Sequence, residues 1–242
     1  MIFRRLREYC IFLRSLFHTT TRLLWGMWKL TKVPHPAITV FGGARTPLEG
    51  KHAAMARELT KILAADGFSI ITGGGPGIME AANQGAMDYL KEARIKETVH
   101  KKKAISAGVG LIHLNKERVN PYVQESVIMD HFFARKWLLV RYSVGFVLFP
   151  GGFGTMDELF EVVTLVQCNR MSSVPIILVD KQYWGPIIEW IEQRALPAGL
   201  ISKEDTTIIT AVDTVQEAVD VLRHWCTEVE CSVFFSGNAK KD

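Results

Sequence analysis

Three times in this chain a short apolar run stops at a cluster of glycines, and a helical pattern starts just beyond it. The clusters are Gly42-Gly43, Gly73 to Gly75 with Gly77, and Gly151-Gly152 with Gly154. They hold nine of the 19 glycines, so glycine here is concentrated rather than scattered. A strand that reads as one continuous apolar run is buried on both faces. Strands of that kind alternating with helices build a mostly parallel sheet. The expected class is therefore α/β, a doubly wound, mostly parallel sheet with helices on both faces. In such a sheet all three turns fall at the carboxyl edge, where ligands bind.

The third turn says most about chemistry. Val147–Glu161 reads V-L-F-P-G-G-F-G-T-M-D-E-L-F-E. Gly151, Gly152 and Gly154 lack a Cβ, so the backbone can fold tightly and come close to a ligand. A helical pattern follows Thr155. The first N–H groups of a helix have no partners of their own and carry partial positive charge, so an anion such as phosphate is stabilised there. Glu158 and Glu161, three residues apart, share one helix face. A phosphate seat beside two carboxylates implies chemistry on a phosphorylated small molecule. A plainer reading of the same residues is a capping box, Thr155-x-x-Glu158. It leaves three glycines in four positions unexplained, and a Glu158 occupied in the cap could not also face a ligand.

Ahead of that turn lies His131–Arg141, H-F-F-A-R-K-W-L-L-V-R. Phe133, Trp137 and Val140 form a stripe expected to face the core. Arg135 and Lys136 fall in the first helical turn, where cations oppose the helix dipole. Either they form a solvated face or they face an anion. The planar fork of arginine suits a phosphate, since it binds two oxygens at once.

Taken in order, residues 1–33 read as a basic amphipathic helix. Phe3, Leu6, Cys10, Leu13, Phe17 and Leu24 recur near helical spacing with arginines between them. Arg14 splits the apolar run and no small-residue cleavage site follows, against a signal peptide; the charge is too high for a membrane span. Three roles remain open: packing on the body or a partner subunit, peripheral contact with an anionic membrane, or an Arg-rich transit segment. Val33-Pro-His-Pro36 links it to a single domain over residues 34–228. That domain is predicted as strands Ala37–Phe41, Phe68–Ile71, Ala104–Gly110, Ser126–Asp130, Val144–Phe149, Pro175–Val179 and Thr207–Thr210. The helices between and after them are predicted at Lys51–Asp66, Ile78–Lys91, 133–143, 155–168, Trp184–Arg194 and Val215–Cys226. Residues 92–103 read as a charged loop and 229–242 as a frayed tail.

Several classes are excluded. The G-x-G-x-x-G fingerprint is absent, because the third glycine counted from Gly73 falls on Ile78; a P-loop ending in Gly-Lys-Ser/Thr is absent too. Cys10, Cys168, Cys226 and Cys231 form no C-x-x-C pair and no His cluster joins them. Neither a metal site nor a disulfide framework is expected, and a reducing, cytoplasmic setting fits. The net charge of +4 is uneven: residues 1–33 carry seven Lys/Arg against Glu8, leaving −2 on the rest. No nucleic-acid partner is expected for such a body.

Together these segments resemble the LONELY GUY (LOG) family, often labelled lysine decarboxylases. The signature P-G-G-x-G-T-x-x-E is complete as Pro150-Gly-Gly-Phe-Gly-Thr-Met-Asp-Glu158. The family's Arg-Lys pair matches Arg135-Lys136, its glycine turn matches Gly73-Gly-Gly-Pro-Gly-Ile-Met79, and its Glu-x-x-Thr matches Glu161–Thr164. Asn120-Pro-Tyr122 resembles the longer bacterial members. Ala134 stands where many members have Ser. The resemblance implies a Rossmann-like homodimer, its active site near the subunit interface, that hydrolyses a nucleoside 5′-monophosphate (AMP or a cytokinin-type ribotide) to free base and ribose 5-phosphate. It implies catalytic roles for Arg135 and Glu158. Gly74, Gly75, Gly77, Glu80, Lys136, Gly151, Gly152, Phe153, Gly154, Thr155, Glu161 and Thr164 would bind substrate. No metal or redox cofactor is implied, and no lysine is singled out for a pyridoxal phosphate. A non-catalytic nucleotide sensor or carrier on the same scaffold is the alternative.

Overall fold

The computed structural model describes residues 2–95, 104–112 and 119–228. The chain begins with a 29-residue helix, α1 (Ile2–Leu30). Seven strands follow: β1 (Ala37–Phe41), β2 (Ser69–Thr72), β3 (Ser106–Leu111), β4 (Glu125–Met129), β5 (Phe146–Leu148), β6 (Ile176–Val179) and β7 (Ile209–Val212). Six more helices are α2 (Lys51–Ala65), α3 (Ile78–Ile95), α4 (Phe132–Arg141), α5 (Phe153–Gln167), α6 (Lys181–Trp190) and α7 (Val215–Glu228).

The strands form one sheet in the order β4-β3-β2-β1-β5-β6-β7, parallel at every pairing. This is the doubly wound α/β class expected from the apolar runs, and it is Rossmann-like, as the family resemblance implies. The chain winds outward in both directions from the β1/β5 pair. The crevice above that pair is where a doubly wound sheet binds ligands.

Side chains alternate across the strands and feed two cores. Ile38, Val40, Val147 and Phe149 join Leu59, Leu63, Ile78 and Leu222 on the α2/α3/α7 face. Phe41, Phe146 and Leu148 join Leu138, Leu159, Val162 and Trp184 on the other. On the first face α2 and α3 meet very closely: a Cβ on Gly85 would collide with the carbonyl of Arg57 and the hydroxyl of Thr60.

Some local expectations shift. β7 starts at Ile209 rather than Thr207, because the hydroxyls of Thr206 and Thr207 bond back to the Lys203 and Glu204 carbonyls and hold a tight 3-10 turn. α6 starts three residues before Trp184, capped by the Asp180 carboxylate accepting from the Tyr183 amide. α3 runs to Ile95, past the start of the expected loop, and residues 96–103 lie outside the described residues, as does the tail 229–242. Cys226 is disulfide-bonded, against the expectation that the cysteines make no bridge, whereas Cys10 and Cys168 are free.

Helix α1 is present as expected, and the structure shows which of its residues meet the body. Its body-facing residues are Thr19, Gly26 and Leu30, with Leu23 and Met27 half-buried beside them. These are not the stripe that periodicity singled out. Cys10, Leu13, Phe17 and Leu24 are all exposed. Among the described residues no helix is long and apolar enough to cross a membrane.

Candidate functional site

The three glycine turns meet at the carboxyl edge of β1, β2 and β5. The Gly43 amide donates to the Pro150 carbonyl at 3.0 Å, and the Ile78 amide donates to the Gly43 carbonyl at 3.1 Å. Gly77, at φ +67°, lies so close to the Gly43 carbonyl that a Cβ would collide with it. A substituent on Gly151 would strike Thr155. By contrast, a Cβ on Gly152 or Gly154 would meet nothing within 4 Å. Packing therefore does not demand those two glycines; they leave the mouth of α5 open.

That mouth begins earlier than expected. α5 starts at Phe153, with Gly152 as its N-cap and no side-chain cap. Its first helical bond runs from the Met156 amide to the Gly152 carbonyl at 3.1 Å. Thr155 is thus a buried residue inside the first turn, and the capping box does not form. The sequence places the threonine correctly but not the helix start, because glycine can occupy the cap without a side chain. The result is a helix N-terminus whose leading amides face open space, a seat for an anion.

Arg135 lies across this edge. Its Nε donates to the Val109 carbonyl at 2.9 Å, and its Nη2 lies where a Cβ on Gly73 would be. Its Nη1 reaches Glu158 Oε1 at 3.4 Å, a loose charge contact rather than a tight bidentate pair. Both side chains are only 11% exposed. Burial pushes the Glu158 carboxyl up from 4.5 to about 7, despite the opposing pull of the Arg135 charge; Asp157 and Glu161 add to the rise. Lys136 is bound to α5 through Glu161 Oε2 at 2.9 Å and Asp157 Oδ2 at 3.1 Å. Burial opposes its charge, but those two carboxylates outweigh it and hold the ammonium above its ordinary pKa.

The arginine and lysine of α4 therefore meet the acids of α5, and a solvated face for Arg135 is excluded. Phe133 and Trp137, expected to face the core, point outward instead. Ala134, Arg135, Leu138 and Leu139 take the inner side. An inward arginine next to an outward tryptophan inverts what hydrophobicity alone suggests, and the reason is that Arg135 has both a carbonyl and a carboxylate to satisfy it.

The remaining candidates divide. Gly74 and Gly75 are fixed by a buried polar network. The Gly74 amide donates to Thr72 Oγ1 at 2.9 Å, and the Asn120 amide donates to the Gly74 carbonyl at 2.8 Å. Asn120 Nδ2 bridges the Gly75 carbonyl and Asn83 Oδ1, each at 3.0 Å. Glu80 is half-buried in the first turn of α3. Phe153 is 97% exposed. Thr164 is exposed one turn beyond Glu161 and joins none of these contacts.

Three contributors were missed. Asp157 binds Lys136; its place four residues before Glu161 was the available signal. Asn83 anchors the second turn from mid-helix, where nothing marks it. Tyr183 donates its hydroxyl to the Gly151 carbonyl. It is held by Asp180, whose left-handed backbone (φ 85°) sits at the end of β6. Asp180 Oδ2 also bonds His52 Nε2 at 2.8 Å. Burial works against the Asp180 charge, but the Tyr183 amide and His52 outweigh it and hold the carboxyl below its ordinary pKa. The sequence did not mark this brace, since His52 on α2 meets Asp180, the cap of α6, only once the chain is folded.

The family described as "Possible lysine decarboxylase" matches residues 79–222. The probable cytokinin riboside 5′-monophosphate phosphoribohydrolase LOGL3 of Oryza sativa subsp. japonica is 30% identical over 190 residues, covering 77% of this chain and 82% of that protein. The pyrimidine/purine nucleotide 5′-monophosphate nucleosidase of Escherichia coli (strain K12) is 29% identical over 167 residues, 65% of this chain but only 35% of the longer protein. Among solved structures, the molybdenum cofactor carrier protein of Chlamydomonas reinhardtii superposes with a TM-score of 0.55 at 20% identity, over 80% of this chain and 99% of that one. At that identity the likeness speaks to fold alone.

Proposed function

The chain belongs to the LONELY GUY family, the one that carries the "Possible lysine decarboxylase" label, and from that premise we propose that it is a nucleoside 5′-monophosphate phosphoribohydrolase. Water would cleave the N-glycosidic bond; the base leaves with a proton and ribose 5-phosphate keeps the hydroxyl. The observation that carries the reading is the buried Glu158, 3.4 Å from Arg135 and next to the uncapped start of α5.

The 5′-phosphate is assigned to the leading amides of α5 and the Gly151–Thr155 turn. Arg135 fixes the sugar phosphate and assists the departing base. Glu158, as a carboxylate, holds the ribose hydroxyls or steadies the oxocarbenium-like transition state, as carboxylates do in glycoside hydrolysis. Lys136, Glu161 and Asp157 form the charged wall beside them. Decarboxylation through a lysine Schiff base finds no support here: that chemistry needs a neutral amine, and Lys136 is held charged by two carboxylates. The exposed Phe133 and Trp137 on α4, with Phe153 and Phe160 on α5, support a homodimer whose contact lies beside the site.

The test is incubation with AMP, GMP, CMP and an N6-prenyl AMP, followed by chromatography for free base. Release of base from at least one is expected. Absence of base from all four, with calorimetry showing one of them bound intact, would instead select the sensor or carrier reading.

A further inference from the structure

Helix α1 has two parts. From Thr19 onward it is docked: Thr19, Gly26 and Leu30 are buried, His18 Nδ1 and Arg22 Nη1 bind Asp130 at 2.8 and 2.9 Å, and Lys29 binds Glu125 at 3.3 Å. Before that point every residue from Arg7 to His18 is exposed, including Tyr9, Ile11, Phe12, Leu13, Leu16 and Phe17. Cys10, Leu13, Phe17, Leu24 and Trp28 recur at spacings of three, four and seven, so they line one face. All five are exposed; Phe17 reaches 73%. The face opposite the body is thus apolar as well as exposed.

We propose that this outward face and the exposed stretch from Arg7 to His18 dock on an anionic phospholipid surface. Charge chooses the occupant. The docked half directs its cations to Asp130 and Glu125, whereas Arg5, Arg7 and Arg14 are exposed and no ion pair among the described residues engages them. A second α1 would bring the same excess, +6 over residues 1–33, and two such helices repel. An anionic lipid surface attracts it instead. Shape agrees: Phe12 and Leu16 lie off the outward stripe, so a flat protein partner would leave them in water. The boundary between headgroups and acyl chains surrounds a helix, and arginine stems can lie along apolar surface while their heads stay wet. Trp25 and Trp28 carry Lys29 and Lys32 over their rings, at 4.9 and 3.3 Å, the aromatic and cationic pairing that suits the headgroup level. A crossing helix is excluded by its charge and hydropathy.

The experiment is flotation of the full chain with vesicles of phosphatidylcholine alone, or with about one-third phosphatidylserine. Strong binding to the anionic vesicles only is expected, falling steeply as ionic strength rises from about 0.05 to about 0.5 M. The triple substitution Arg5→Gln, Arg7→Gln, Arg14→Gln should weaken binding about a hundredfold. A second variant, Leu13→Ser with Phe17→Ser and Trp28→Ser, should also release the protein. Both alter exposed residues, so thermal unfolding should be unchanged. The proposal is overturned if the intact chain floats equally with both vesicles or with neither. It is overturned also if the arginine variant binds as tightly as the parent. Self-association that the stripe variant abolishes, with no flotation, would assign the face to a second copy instead.

Discussion

At the scale of single residues, Glu158 is the group whose chemistry depends most on its surroundings. An ordinary glutamate titrates at 4.5, whereas this one titrates at about 7 in the folded protein, chiefly because it is buried. The folded state therefore holds the proton more tightly than the unfolded chain does. Between those two values stability falls as pH rises, and above about 7 the loss from this group is complete, about 3 kcal/mol. Glu158→Gln removes that slope: urea titrations near pH 8 should show the variant the more stable, with the difference vanishing toward pH 4. The same variant should lose about a hundredfold or more in base release. For the parent, kcat/KM should climb with pH through about 7, since the role proposed for Glu158 needs its ionised form. Two glycines give a complementary contrast. Gly73→Ala places a methyl where the Arg135 guanidinium lies, so kcat should fall tenfold or more. At Gly152 nothing blocks a methyl and φ is −93°, so Gly152→Ala should fold normally and raise KM by crowding the anion seat. Equal effects from the two would contradict the assignment of the seat.

Between elements, the site is a contact of α4 with α5 set over a sheet edge. Its turns are braced from the far side by α6. Tyr183→Phe removes the hydroxyl that holds the Gly151 carbonyl, a bond worth about 1 kcal/mol, so KM for the nucleotide should rise several-fold with little change in thermal stability. Stability responds elsewhere. Gly85→Ala forces α2 and α3 apart at the Arg57 carbonyl and should lower stability by about 1–3 kcal/mol, read as an earlier urea midpoint. A variant as stable as the parent would mean that the α2/α3 crossing is looser than described.

For the molecule as a whole, two clusters of exposed apolar side chains stand out among the described residues. One is α1; the other is the α4/α5 face of Phe133, Trp137, Phe153 and Phe160. If the proposed homodimer uses this face, light scattering should find a dimer, and Trp137→Glu should halve the mass and lower activity, because the proposed contact adjoins Arg135 and Glu158. A variant that keeps both its mass and its activity would separate the site from the interface.

The apolar runs and the glycines behind them were legible from the residues alone. Burial on both faces forces strands such as Ala37–Phe41 to be uniformly apolar, and the turns at Gly73 and Gly151 need residues without a Cβ. That local chemistry was enough to read the α/β sheet and to suggest an anion seat at the third turn. It was not enough for matters settled between distant segments. Helical spacing in α1 and α4 identified apolar stripes but not their directions, and in both helices the stripe it singled out includes exposed aromatic side chains, Phe17 on α1 and Phe133 and Trp137 on α4. Gly152 rather than Thr155 caps α5, with no side-chain cap, and Thr155 is buried inside the first turn. The Asp180, His52 and Tyr183 brace, and the raised pKa of Glu158, exist only once β6, α2, α4 and α5 share one edge. Periodicity records how residues repeat along one element, whereas direction and electrostatic environment are set by what packs against it.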